Sequence, residues 1–249
     1  MHEAGYRALG LPFTYVPFEV RDLAGAIAGM RSLGIRGLGV SQPFKQAVIP
    51  LLDALDPVAE QIGAVNTIVG SAGRVVGHNT DWIGAIRALE ETISLSGASV
   101  LLLGAGGAAR AIAFGLRERR ARVTIVNRTE AKAEALAEAT SARSAPWAET
   151  DRLGDYDVVL NATTLGQQGE ADASLPYESI RAGQLVMDIV YKPLRTPFLA
   201  AAQARGAVVV HGGRMLLHQA SAQFELYTGR PAPREAMDEA LRAAIGVAD

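Results

Sequence analysis

Cysteine is absent from this 249-residue chain, which removes disulfides and thiolate metal sites from consideration. Histidine is scarce. His2, His78, His211 and His218 are scattered, with no HxxxH or His-Asp-His spacing that would hold a metal. No apolar run approaches the ~18 residues of a membrane-spanning helix, and the N-terminus lacks the charged-then-apolar form of a signal peptide. Neither sign of charge dominates: 24 basic residues face 26 acidic ones and no basic stripe stands out, which argues against nucleic acid as the main partner. Internal repeats and low-complexity tracts are missing too. What remains is a chain that is 49% hydrophobic and able to bury a core. The expectation is a soluble, non-membrane protein of a reducing compartment, most simply the cytoplasm.

Strand-like and helix-like stretches alternate along it. FTYVPF (13–18) is aromatic and β-branched, a strand signal. Asp22 to Leu33 carries Leu23, Ile27 and Met30 at helical spacing, and a short strand follows around Ile35 to Val40. AVNTIVG and RVVGH read as two strands joined by the Ser-Ala-Gly turn at 71–73. NTDWIGAIRALEETI then sets Ile83, Ile86, Leu89 and Ile93 on one helical face, with Asn79 or Thr80 as the N-cap. Beyond the polar SLSGA, the runs SVLLL, VTIV, DVVL, LVMD and AVVV are apolar on both faces, as in parallel strands covered by helices. Helices fill the gaps from Thr129, from Thr196, from Gly213 and from Arg234 to Ala244. On the third of these, Leu217, Ala220, Phe224 and Tyr227 make a core stripe, and Met215 and Gln219 share a neighbouring face. The pattern predicts an α/β chain: a substrate-binding domain over 1–90, a doubly wound Rossmann-type domain over 91–212, and helices at 213–249 that return to the first domain. Small ligands commonly sit between two such domains.

VLLLGAGGAARA, between a strand and a helix, fits G-x-G-x-x-G/A at Gly104, Gly106 and Ala109. Gly104 permits the tight turn, Gly106 lets a pyrophosphate near the backbone, and Ala109 keeps helix and strand close. The loop Gly104, Ala105, Gly106, Gly107 and Ala108 would offer free N–H groups to that pyrophosphate. Such a loop alone also serves ordinary turns; inside a strand–helix–strand unit it predicts a dinucleotide. An NAD site wants an acid at the tip of the next strand, to accept from the ribose 2′-OH. Here the tip reads Asn127, Arg128 and Thr129, with Lys132 one helical turn on. A guanidinium at that place pairs with a 2′-phosphate, so NADP is the expected cofactor. Glu130 is read as a first-turn helix acid. The plain alternative for Arg128 is a solvated strand-end cation.

GVSQPFK (39–45) is harder to place. It ends on a single lysine with no acid close behind, and by itself Lys45 reads as an ordinary surface cation, as most lone lysines are. Taken with IGAVNTIV (62–69), GHNTDWIG (77–84), GGRMLLHQASAQFELYTG (212–229), GAGGAARA, NRTEAKA, LNATTLG and DIVYKPLRTPFL, it resembles the shikimate dehydrogenase family, in order and over essentially the whole chain. The resemblance implies reversible hydride transfer between NADPH and the C3 carbon of 3-dehydroshikimate, giving shikimate, in aromatic amino-acid biosynthesis. It implies Lys45 and Asp81 as the catalytic pair, Ser41, Asn66, Tyr191 and Gln219 as substrate contacts, and Ile189 and Gly212 beside the nicotinamide. A small-molecule substrate and a monomer or homodimer complete it. These residue types suit the chemistry. Oxidising an alcohol removes a proton from oxygen as hydride leaves carbon, and burial makes a lysine less basic and fit to take it. Asp81, in a first helical turn, sits where the dipole favours a carboxylate. The blander alternatives are a helix-start acid for Asp81 and a solvated residue for Gln219; Trp82, Met215 and His218 are read as structural.

Two stretches depart from the family pattern. The family opens with a strand and an SxS motif whose serines hold the substrate carboxylate, whereas this chain starts MHEAGYRALG, inside the helix that follows. Either the start is assigned too late, the chain is trimmed, or the segment is truly lost; a true loss would expose an unpaired sheet edge and weaken shikimate binding. The family's N-V-T-x-P reads G-V-S-Q-P here: Gly39 replaces a substrate-binding asparagine, Ser41 keeps a hydroxyl, and Gln42 takes a usually apolar place. Both departures keep open a paralogue acting on quinate or a related hydroxy acid, or a non-catalytic nucleotide-binding remnant. The joint presence of Lys45, Asp81, Asn66 and Gln219 speaks against the remnant.

Overall fold

The computed structural model describes residues 1–167 and 175–246. The chain forms two compact units, one of Met1–Asp81 and Leu217–Asp249, the other of Trp82–Leu216. The polar stretch that suggested a boundary near residue 90 follows a helix whose Ile86 and Leu89 already lie in the second unit's core.

In the first unit the order is α1 (His2–Ala8), α2 (Leu23–Ser32), β1 (Gly37–Gly39), α3 (Phe44–Ala47), β2 (Ala54–Leu55), α4 (Pro57–Ile62), β3 (Thr67–Ser71) and β4 (Arg74–His78). The strands lie in the order β1-β3-β4-β2, with β3 antiparallel to both β1 and β4 and β2 parallel to β4. The β3–β4 register is set by a two-residue turn in which Ala72 and Gly73 have φ of 50° and 79°, the twist such hairpins require. Helix α2 starts at Asp22, whose Oδ1 accepts from Gly25 N at 3.0 Å. It buries Ile27 and Met30 against Val48, Ala59, Val65, Ile68 and Val75. Each such side chain contributes roughly 1.5–3 kcal/mol.

Residues 13–18 do not form the strand that their composition suggested. No strand among the described residues pairs with them, and an extended backbone needs a ladder for its N–H and C=O groups. The segment runs irregularly instead, with Val16 and Phe18 exposed. It is tied to α1 through Glu3, whose Oε1 accepts from Tyr15 N at 2.5 Å and Thr14 Oγ1 at 3.1 Å. Neighbouring β1 is an edge strand three residues long.

Asp81 opens α5 (Asp81–Glu90), the rest of which belongs to the second unit. There follow β5 (Ser99–Leu103), α6 (Gly107–Glu118), β6 (Arg122–Val126), α7 (Glu130–Thr140), β7 (Arg143–Ser144), β8 (Val158–Asn161), β9 (Leu185–Asp188), α8 (Pro197–Ala204), β10 (Val208–His211), α9 (Gly212–Thr228) and α10 (Arg234–Ile245). Six strands form an all-parallel sheet in the order β10-β9-β8-β5-β6-β7. The order reverses between β5 and β8, the doubly wound arrangement that the apolar runs predicted. Val100 and Leu102 of β5 face one core with Ile112 and Leu116, while Leu101 and Leu103 face another with Phe198 and Leu199. Burial on both faces is why these strands lack polar alternation. No helix among the described residues is long and apolar enough to cross a membrane.

Asp188, at the end of β9, is fully buried. It accepts from Val190 N (3.0 Å), Thr196 Oγ1 (2.7 Å) and Asn161 Nδ2 (3.1 Å), joining β8, β9 and the start of α8. Burial outweighs these donors and pushes its carboxyl up to about 6. A carboxyl with a raised native pKa binds its proton more tightly when folded, so its contribution is present below the unfolded value and lost as pH rises through about 6. Asp188→Asn, which cannot titrate, should therefore be more destabilising at pH 4 than at pH 7, by about 2–3 kcal/mol. Urea unfolding of both proteins at the two pH values measures this; a difference independent of pH would contradict it.

Candidate active site and dinucleotide loop

Lys45 lies in the single turn of α3, and its backbone is fastened by Val65 N, which donates to Lys45 O at 2.7 Å. Asp81 is placed by Asn79. The Asn79 Oδ1 accepts from Asp81 N at 3.0 Å, and its Nδ2 donates to Ala64 O at 2.9 Å. These backbones bring Lys45 Nζ to 2.6 Å from Asp81 Oδ2, with the side chains 17% and 7% exposed. Two charges so little hydrated persist only when their remaining hydrogen-bonding capacity is met.

Asn66 meets it. The Thr80 N–H donates to Asn66 Oδ1 at 2.7 Å, which fixes the amide's orientation because a backbone N–H can only donate. The Nδ2 is thereby turned to Asp81 Oδ1 at 2.8 Å, with Thr80 Oγ1 at 3.0 Å and Gln219 Oε1 at 3.4 Å. Thr67 Oγ1 adds a bond to Asn66 Oδ1 at 2.7 Å. The Asn66 carbonyl accepts from Val40 N at 2.7 Å and from Gln223 Nε2 at 3.2 Å, and Gln223 Nε2 also reaches Thr67 Oγ1 at 3.0 Å.

The structure thus joins Lys45, Asp81, Asn66 and Gln219 in one network. Ser41 stays outside it: it is exposed, and its hydroxyl bonds the adjacent Gln42 carbonyl at 3.4 Å. Gln223 was missed in the sequence, although it lies four residues from both Gln219 and Tyr227 and so shares their side of α9. Tyr227, read as core, is indeed buried, and its hydroxyl lies beside Thr67 of that network.

The second unit holds the glycine loop. Gly104 has φ of 113°, and a Cβ there would lie 3.0 Å from Ala162 O, so only glycine fits. Gly106 caps α6 without any side-chain hydrogen bond, leaving the first N–H groups of the helix to an external acceptor. Ala109 is fully buried in the core beneath. Arg128, Thr129 and Lys132 are exposed beyond β6, and Asn127 Nδ2 secures the turn by donating to Thr129 O at 2.9 Å. Neither Arg128 nor Lys132 forms an ion pair among the described residues. Gly212 and Ile189 adjoin so closely that a Cβ on Gly212 would collide with Ile189 O. Tyr191 is exposed in this unit.

A doubly wound sheet with an uncapped glycine loop, accompanied by a buried Lys–Asp pair, defines an α/β protein of the dinucleotide-dependent oxidoreductase class. Comparison sharpens this. The family of shikimate dehydrogenase substrate-binding domains matches residues 1–68, that of shikimate/quinate 5-dehydrogenases matches 87–170, and that of shikimate 5′-dehydrogenase C-terminal domains matches 212–242. The NADP+ shikimate dehydrogenase of Moorella thermoacetica is 45% identical over 99% of this chain and 88% of its own. Among solved structures, a shikimate dehydrogenase in complex with NADP+ aligns with TM-score 0.92 at 35% identity, covering 98% of this chain and 89% of its own. That of Thermus thermophilus, with NADP(H) and shikimate, aligns with TM-score 0.89 at 38% identity, covering 98% and 92%. The chain belongs to the shikimate dehydrogenase family.

Asn66→Ala would leave the Thr80 N–H and Asp81 Oδ1 buried without these partners. It should cost about 2–4 kcal/mol, read as a lower urea midpoint with an unchanged slope. A midpoint equal to wild type would show that the network holds without its hub.

Proposed function

We propose that this protein is an NADP-dependent shikimate dehydrogenase, interconverting 3-dehydroshikimate and shikimate. The observation that carries the reading is the 2.6 Å Lys45–Asp81 pair, buried and oriented by Asn66. Relatives named as NADP+ shikimate dehydrogenases, matched over nearly the full chain, support it. On this reading the unit of Met1–Asp81 and Leu217–Asp249 binds the substrate, and Trp82–Leu216 binds the cofactor.

The residues present fit NADP. The loop Gly104, Ala105, Gly106, Gly107 and Ala108 would receive the pyrophosphate on backbone N–H groups at the start of α6. Arg128 and Lys132 would receive the 2′-phosphate, aided by Asn127 and Thr129, and Ile189 and Gly212 would flank the nicotinamide. When bound, the cofactor supplies the hydride acceptor or donor. The chain does the proton work. In the oxidising direction, Lys45 Nζ, once it has shed a proton to solvent and stands as the neutral amine, takes the substrate's hydroxyl proton as the carbon's hydrogen departs with its bonding electrons and the C–O bond becomes double. In reduction, the Lys45 ammonium returns that proton to the carbonyl oxygen. Asp81 keeps Nζ aimed and accepts from a neighbouring substrate hydroxyl, while Asn66 and Gln219 hold the others. Ser41 and Tyr191 are assigned as outer contacts. A cytoplasmic, monomeric or dimeric enzyme belongs to the same proposal.

Lys45→Ala should lower kcat for shikimate oxidation at least ~10²-fold, with the NADPH dissociation constant unchanged. The time course of NADPH absorbance and a fluorescence titration check the two halves; unchanged turnover would remove the assignment. Arg128→Ala should weaken NADPH roughly 10-fold or more while NADH binding stays level. Equal effects on both nucleotides would return Arg128 to the status of a solvated cation.

A further inference from the structure

Helix α9 carries Gln223 one turn beyond Gln219 and buries it to 5% exposure. Its Nε2 donates to Asn66 O at 3.2 Å and to Thr67 Oγ1 at 3.0 Å. A main-chain carbonyl can only accept, so this pairing fixes which end of the Gln223 amide faces β3. The Thr67 hydroxyl, receiving that N–H, turns its single proton to Asn66 Oδ1 at 2.7 Å. Asn66 Oδ1 thus takes donors from Thr67 and from the Thr80 N–H, and Nδ2 is left to donate to Asp81 Oδ1 at 2.8 Å. The other oxygen of Asp81 meets Lys45 Nζ. From Gln223 to the carboxylate every bond runs in one direction, donor to acceptor, and bonds in such a series polarise one another.

A second branch leads to the lysine from the other side. Asn66 O also accepts from Val40 N at 2.7 Å, and Val40 follows β1 at the head of the loop that carries Lys45. Gln223 therefore ties the start of β3 to the root of that loop. The bare backbone of Gly39 gives the amide its room, because a Cβ there would already touch Gln223 Nε2 at 3.6 Å. Satisfying buried acceptors does not by itself require this residue. The Asn66 carbonyl has the Val40 N–H, and an apolar side chain of equal length would be cheaper to bury than an amide. What Gln223 adds is direction, given to the Thr67 proton and through it to the Asn66 amide.

We propose that Gln223 is a positioning residue for proton transfer: acting through Thr67 and Asn66, it fixes the Asp81 carboxylate against which the Lys45 amine is aimed. The inference rests on the reading of Lys45 as the proton-transfer group of a dehydrogenase.

Gln223→Met keeps the length of the side chain and removes its donor, and Thr67→Val keeps the shape and removes the hydroxyl. Two measurements on the full chain test them, singly and combined. The first is steady-state shikimate oxidation, with kcat counted per NADPH-binding site. Each single variant should lose about tenfold in kcat while the shikimate KM stays within about threefold and the NADPH Kd is unchanged, a split that a smaller folded fraction would not produce. Thr67→Ser, which keeps the hydroxyl, should recover most of the Thr67→Val loss. The double variant should be no worse than the worse single one, since both changes break one series.

The second measurement needs no turnover. Limiting acetic anhydride, read by peptide mass spectrometry, reports the reactivity of Lys45 against Lys132 and Lys192, the other two lysines of the chain, both exposed. Relative to those two, Lys45 should be labelled about threefold faster or more in Gln223→Met and in Thr67→Val, as the amine is less firmly held. Wild-type labelling of Lys45 in both variants, or losses that multiply in the double variant, would overturn the proposal. Absence of turnover in the wild type would instead reject the dehydrogenase reading, and the labelling would then decide alone whether Gln223 positions the pair.

Discussion

An ammonium and a carboxylate held 2.6 Å apart with little water around them are an expensive arrangement, and the first unit is organised around keeping it. Asp81 is met from three directions: by Lys45 at one oxygen, by Asn66 at the other, and by the N-terminus of the helix it begins. Asn66 can serve only because the Thr80 N–H and the Thr67 hydroxyl fix which way its amide faces. Those residues in turn stand at the paired ends of β3 and β4, where Thr67 lies opposite His78. The hairpin and its tight turn therefore set the direction of the lysine amine, although they supply no reacting group.

The second unit solves a different problem with different means. Its loop presents backbone rather than side chains, so what matters is conformational freedom and the exclusion of bulk. Gly104 occupies a conformation closed to other residues, Ala109 is buried against the sheet, and Gly212 leaves room for the Ile189 carbonyl. The ladder beneath is kept in order by Asp188, which gathers donors from the ends of β8 and β9 and from the cap of α8. An acid in such a place serves architecture rather than proton transfer.

Much of this was legible in the sequence for definite reasons. Parallel strands covered on both faces must be apolar throughout, so β5, β6, β8, β9 and β10 announce themselves. The glycine fingerprint reports a local backbone requirement, which lies wholly within a few residues. Helix α4 was overlooked although its signal is present: Asp56 accepts from Val58 N at 3.0 Å, with Pro57 in the first turn. The segment at 13–18 failed for a non-local reason. Its residues favour an extended chain, but a strand exists only where a neighbour completes its hydrogen bonds.

The sequence by itself determined the fold class, the helix starts, the loop chemistry and, through resemblance to a family, which residues are chemically able to act. Each of these depends on composition, spacing or short-range geometry. Only the tertiary structure decided which side chains meet. Lys45 and Asp81 are thirty-six positions apart, and Asn66 and Gln223 lie on separate elements one hundred and fifty-seven positions apart. Nothing in a linear pattern states that Gln223 belongs with Asn66, that Ser41 lies outside their network, or that Tyr15 fills the space beside Gly39. Hydrogen bonds act over about 3 Å of space whatever the distance along the chain, so their partners are set when the chain packs.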